Sequence, residues 1–134
     1  MIFDLSQQFT FEAAHTLSRM VPLVEYEPSK RIHGHSYLAT ITIQGKKGAS
    51  GMLERFAMRQ NKRTAIDLFY VREAIAKVKV KLDHRFLDEI AELGAPTLEN
   101  LAEFIFNALR ADFPVSSVTV CRPSTGDSCT VRPE

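Results

Sequence analysis

Phe3-Asp4-Leu5-Ser6-Gln7-Gln8-Phe9-Thr10-Phe11-Glu12-Ala13-Ala14-His15 decides the fold, because its odd positions Phe3, Leu5, Phe9, Phe11, Ala13 and His15 alternate with mostly polar neighbours. A period of two describes a strand with one buried face. Gln7 is the one polar intruder on that face. The stretch His33 to Ile43 repeats the pattern, with His33, His35, Tyr37, Ala39, Ile41 and Ile43 on one side and Ser36, Thr40 and Thr42 on the other. The two segments are predicted to be strands of one sheet.

From Asp67 the period lengthens. Leu68, Val71, Ile75, Val78 and Leu82 recur at three- and four-residue intervals opposite Arg72, Lys79 and Lys81, which predicts an amphipathic helix. Thr97 is placed to cap a second helix through Leu98, Leu101, Ile105 and Leu109, which Pro114 brings to an end. Ser117 to Cys121 and Cys129 to Arg132 then read as short strands around a turn at Gly126. The order ββααββ, with helices grouped rather than alternating, predicts an α+β fold: a four-stranded antiparallel sheet with two helices on one face.

Size and charge narrow the function classes. The 134 residues and 15.1 kDa are one domain's worth of chain, so residues 1–134 are read as a single domain. Seventeen Lys and Arg against sixteen Asp and Glu leave a net charge of +1, which argues against nucleic acid and anionic membrane as partners. The longest run free of Asp, Glu, Lys, Arg and His, Ser36 to Gly45, is half a membrane span, and Asp4 interrupts the place of a signal peptide. A cytoplasmic protein is expected. Cys121 and Cys129 could face each other across a hairpin, but a single pair without an export signal is read as two reduced thiols.

Gly45 to Ala65 fits this outline least. It carries Lys46, Lys47, Arg55, Arg59, Lys62 and Arg63, and reads as a long hairpin tip or a mobile flap. Its charges suit either a plain basic surface or a contact to an anionic substrate or a neighbouring subunit.

The chemistry concentrates in histidine. His33-Gly34-His35 puts two imidazoles on one strand face, roughly 6.5–7 Å apart at Cα. His15 ends the other strand in the same register, so pairing of the two strands brings three imidazoles together. Three histidines suit Zn2+ and leave a fourth position open for water or substrate, as a catalytic site needs. A histidine on the buried face of Phe9 to His15 also requires a partner, and Phe11 and Tyr37 offer a dry wall. An unrelated zinc hydrolase would need a glutamate beside a metal histidine, as in H-E-x-x-H, and none is present.

Phe9-Thr10-Phe11-Glu12-Ala13-Ala14-His15, His33-Gly34-His35-Ser36-Tyr37, Leu82-Asp83-His84-Arg85-Phe86-Leu87 and Pro96-Thr97-Leu98-Glu99-Asn100-Leu101-Ala102 together resemble, in order, the 6-pyruvoyl-tetrahydropterin synthase and 6-carboxytetrahydropterin synthase family. The resemblance implies the family's tunnelling fold. It further implies a catalytic zinc on His15, His33 and His35, and a pterin-type small-molecule substrate, 7,8-dihydroneopterin triphosphate or a close relative. The reaction implied is a lyase step in tetrahydrobiopterin or queuosine biosynthesis, with assembly as a homo-oligomer, a trimer or hexamer, whose sites lie at subunit interfaces. Asp83 and His84 match the family's Asp-His pair, in which a carboxylate orients a proton-transferring imidazole; Thr97 and Glu99 fall on its substrate-binding segment.

The chain departs from the family at two chemical positions. The family's cysteine of Cys-x-x-x-His-Gly-His is here Ser29, and an alcohol, unlike a thiol, needs a separate strong base. Glu25 or Glu27 on the same connection could act instead. In the third strand of the family a glutamate accepts from the pterin ring; here that position is Arg122, whose guanidinium only donates and suits a carboxylate or phosphate. Relatives also run from Gly-Met straight into the helix start, whereas Leu53 to Ala65 separates Gly51-Met52 from Ile66-Asp67. Changed base, changed anchor and added basic loop are all expected to touch the pocket. A non-catalytic zinc-containing binder of a pterin-like ligand is the alternative on the same scaffold.

Overall fold

A computed structural model describes residues 1–17 and 26–134. Alternation produces the two long strands: β1 is Phe3–His15, as predicted, and β2 is His33–Gly45, two residues beyond its predicted end at Ile43. They pair antiparallel along their whole length, from Phe3↔Gly45 to His15↔His33. A four-residue helix, α1 (Glu27–Lys30), leads into β2. β6 (Val115–Arg122) pairs with β2, and β7 (Asp127–Val131) pairs with β6 around Gly126, whose φ of 77° is left-handed.

The expected four antiparallel strands are present, and a fifth extends the sheet. β5 (Arg85–Phe86) runs parallel to β1 at Ala13 and Ala14, giving the order β5-β1-β2-β6-β7. It is too short for a periodic signal.

The two amphipathic helices lie over one face of this sheet. Asp67 caps α2 (Leu68–Leu82) through Phe69 N, and Thr97 caps α3 (Leu98–Leu109) through Asn100 N at 3.2 Å. α2 packs on β1, and α3 on β6 and β7. Val71, Ile75, Val78 and Leu82 from α2 and Leu101, Ala102, Ile105 and Leu109 from α3 close the core over Phe9, Phe11, Tyr37, Ala39, Ile41 and Val118, all buried. Gln7 sits half-buried on that face.

The basic segment forms its own hairpin, β3 (Glu54–Ala57) with β4 (Lys62–Ala65), turning through Asn61 at φ 50°. Buried Leu53 and Ile66 root it in the core, and the Arg55 guanidinium donates to the Asp112 carbonyl and stacks over Phe113. This corrects the placement of the loop at the pocket. The hairpin follows the Gly45 end of β2, and the histidines occupy the opposite end, roughly 40 Å away along thirteen residues of strand.

The cysteines do not face each other. Cys129 opposes Val120 and Cys121 opposes Ser128, so the two thiols point to opposite faces of the sheet, and both are free.

Candidate metal centre and active site

Register alone assembles the centre. His15 lies directly opposite His33, and His35 opposite Ala13, so all three imidazoles project from the buried face at one end of β1 and β2. Their rings stand 4.6, 5.0 and 4.9 Å apart, centroid to centroid, and one ligating atom from each lies within 4.8 Å of the others.

Hydrogen bonds fix two of the rings. His15 Nδ1–H donates to the Pro96 carbonyl at 2.8 Å and His33 Nδ1–H to the Arg31 carbonyl at 2.8 Å. Each ring then keeps its lone pair on Nε2, and those two atoms face each other at 3.0 Å. Two lone pairs so close repel unless a cation lies between them, and a carbonyl behind the imidazole is the support that metal-bound histidines ordinarily have. The donor set fits zinc: three imidazole nitrogens, with no fourth His, Cys, Asp or Glu in the cluster among the described residues.

Burial favours the neutral form of His15 and His35. Burial, then neighbouring His15 and Arg122, pulls the His35 pKa down to about 4. Burial likewise lowers that of His15, against the opposing pull of the Pro96 hydrogen bond. Tyr37, 1% exposed and stacked on Phe11 at 4.8 Å, walls the site, and its desolvated hydroxyl is pushed up to about 12.

Two supports had no signal in the local sequence pattern. Pro96 reaches His15 across 81 residues of chain. Asp88, buried, accepts from Thr16 N at 2.8 Å and from the Thr16 hydroxyl at 2.7 Å, clamping the residue that follows His15. Asn100 Nδ2 steadies the Pro96 segment by donating to the Ala95 carbonyl at 2.9 Å.

The other predicted residues divide. Arg122 comes to the cluster: its Nη1 is 3.5 Å from His35 Nε2, while Nη2 donates to Asp127 at 2.8 Å. Ser29 and Glu27 lie on α1, whose Ser29 carbonyl accepts from Leu17 N at 2.8 Å and so ties α1 to the end of β1. The Glu27 side chain is 65% exposed and 3.5 Å from Lys30 Nζ; Glu25 lies outside the described residues. The Thr97 hydroxyl is engaged as the α3 cap, and Glu99 is exposed on the first turn of that helix.

Asp83 and His84 are not drawn to the three histidines within the chain. Asp83 Oδ1 accepts from Glu12 N at 2.8 Å, and His84 N donates to the Glu12 carbonyl at 2.7 Å, which holds the pair against the outer edge of β1. His84 is left-handed at φ 56°, with a side chain 82% exposed and Nε2 3.7 Å from Asp83 Oδ2. A carboxylate does stand beside an imidazole, but the imidazole faces outward.

The fold recurs among known proteins. The chain resembles the solved structure of 6-pyruvoyl tetrahydropterin synthase from Caenorhabditis elegans, with a TM-score of 0.79 at 21% identity over 100% of this chain and 97% of that one. It also resembles a Plasmodium vivax 6-pyruvoyltetrahydropterin synthase in which a catalytic glutamate is replaced by alanine, with a TM-score of 0.68 at 18% identity over 100% and 99% of the two chains. In sequence it is 28% identical over 136 aligned positions to the 6-carboxy-5,6,7,8-tetrahydropterin synthase of Haemophilus influenzae, covering 86% of this chain and 87% of the relative. To the protein of that name from Aquifex aeolicus it is 25% identical over 113 positions, covering 77% of this chain and 63% of the relative. The family model for 6-pyruvoyl tetrahydropterin synthase matches residues 4–134, all four motifs included, and the chain therefore belongs to that family.

Proposed function

We propose that the protein is a zinc-dependent lyase of the 6-pyruvoyl-tetrahydropterin synthase and 6-carboxytetrahydropterin synthase type, acting as a single domain on 7,8-dihydroneopterin triphosphate or a close relative in the cytoplasm. The observation that carries this reading is the pair of Nε2 lone pairs on His15 and His33, 3.0 Å apart, with His35 beside them. Zinc held there would act as a Lewis acid on a side-chain oxygen of the pterin, lowering the cost of charge developing on it.

The chain's own residues account for the remaining tasks. Glu99 offers an acceptor for a pterin's amino group and ring N–H from the first turn of α3, with Thr97 holding that turn in place. Asp83 orients His84 for proton transfer. Because that imidazole faces outward, it serves the site of a neighbouring copy in a trimer or hexamer. A free sheet edge at β7 is a natural contact for such assembly.

Between the candidate bases, Glu27 is favoured over Ser29. Its carboxylate needs no separate activator, whereas the Ser29 hydroxyl does.

One observation favours the alternative, a non-catalytic zinc-containing binder of a pterin-like ligand: Arg122 presents only donors to the site, where the family resemblance implies an acceptor. Incubation of the zinc-loaded protein with 7,8-dihydroneopterin triphosphate, followed by mass analysis, separates the two. The lyase reading expects triphosphate release or side-chain cleavage at a rate abolished by His33→Ala. Unchanged substrate that remains bound to the protein establishes the binder.

A further inference from the structure

Arg122 ends β6, one step beyond the last β2–β6 pair, Leu38↔Cys121, so the register sets it opposite Tyr37 on the face that carries the histidines. Its guanidinium is mostly buried and is held from one side by Asp127, its partner across the β6–β7 ladder. Arg122 Nε is buried without a hydrogen-bond partner, and so is the Tyr37 hydroxyl. Two such groups side by side are uncommon, since each carries an uncompensated desolvation cost.

Metal binding deepens the deficit. If His35 ligates through Nε2, its lone pair is spent on the metal; if it ligates through Nδ1, Nε2 carries the hydrogen. In either case Arg122 Nη1, 3.5 Å from that nitrogen, has no acceptor there. A guanidinium then stands beside a dication, with the Asp127 carboxylate, half exposed, set against both charges. Such a place favours an anion, and arginine is the side chain best matched to carboxylate and phosphate oxygens.

Resting on the metal-site reading above, we propose that Arg122 and Tyr37 receive an anionic oxygen group of the ligand, a carboxylate or a phosphate, beside the three histidines. The substrate of this chain therefore carries such a group close to the metal. Arg122 thereby sets which ligand charge this site accepts.

The test uses the full chain loaded with cobalt(II), whose visible spectrum reports ligands at the metal without any turnover. Sodium acetate and inorganic phosphate are titrated separately at constant ionic strength. Wild type is expected to give a saturable spectral change with at least one of them; a response to acetate alone assigns a carboxylate, and to phosphate alone a phosphate. Arg122→Gln should raise the Kd about tenfold or more, Arg122→Lys should raise it less, and Tyr37→Phe severalfold.

If Arg122→Gln fails to retain cobalt, Arg122→Glu decides, because a carboxylate beside the dication offsets its charge and repels an incoming anion: it should keep the metal and lose the anion. Cobalt binding with no anion response in wild type overturns this inference alone, as does an unchanged Kd in the Gln or Glu variant. Failure of wild type to bind cobalt overturns the metal-site reading and this inference with it.

Discussion

Replacing Asp88 tests whether the histidine-bearing end of β1 is held from outside the sheet. The carboxylate is 4% exposed and accepts two hydrogen bonds through separate oxygens, from Thr16 N at 2.8 Å and the Thr16 hydroxyl at 2.7 Å. A hydrogen bond to a charged group contributes roughly 1.5–3 kcal/mol, and two bonds between one residue pair do not add fully. Asp88→Ala should therefore cost about 3–5 kcal/mol. Asp88→Asn keeps one acceptor oxygen but turns an amide NH2 toward a donor, and should cost about 1–3 kcal/mol. Urea denaturation of the metal-free protein reads these losses without the contribution of bound metal. Because His15 precedes Thr16, zinc affinity measured by chelator competition should also fall, about 10–100-fold, as it does when supports behind a ligand are lost. A loss below about 0.5 kcal/mol for Asp88→Ala, with wild-type zinc affinity, would refute the reasoning.

Acid should destabilise the metal-free protein before its carboxylates titrate. His15 and His35 have folded-state pKa values below 6.5, His35 at about 4, so between those limits the unfolded chain binds more protons and stability falls as pH drops from 6.5 toward 4. The urea midpoint should be lower at pH 5 than at pH 7, by less in His35→Ala; an equal midpoint at the two pH values contradicts this. Tyr37→Phe removes a buried hydroxyl without a partner and keeps the ring stacked on Phe11, so the metal-free protein should be unchanged or up to about 1 kcal/mol more stable. A loss of more than about 1 kcal/mol in the same denaturation would mean that the hydroxyl is satisfied in the fold. Gly94 sits at φ 70°, ψ −139°, at the start of the segment that carries the Pro96 carbonyl to His15, so Gly94→Ala should cost about 1–3 kcal/mol. An unchanged melting temperature would show that the loop relaxes around the methyl group.

What could be read from the sequence was what depends on period. Alternation defines β1 and β2, and because a strand has only two faces, the odd register of His15, His33 and His35 was enough to bring the imidazoles together. The cap at Thr97 and the stripes of α2 and α3 follow from equally local rules. Residues that act across the chain were not legible: Pro96 offers a backbone carbonyl, which any residue type has, and Asp88 lies in a single turn without periodicity. His84 was singled out by its motif, but its outward direction was not legible. Its left-handed backbone breaks the phase of α2, so the side chain faces away from the core that Leu82 occupies. The basic hairpin was placed near the pocket because insertion suggests function, yet β2 is long enough to carry it to the opposite end of the sheet.

Zinc content per chain, measured by elemental analysis after dialysis against metal-free buffer, tests the central claim most directly. The account predicts about one zinc per chain in wild type and loss of that zinc in both His33→Ala and His35→Ala. Full zinc occupancy in both variants would contradict it.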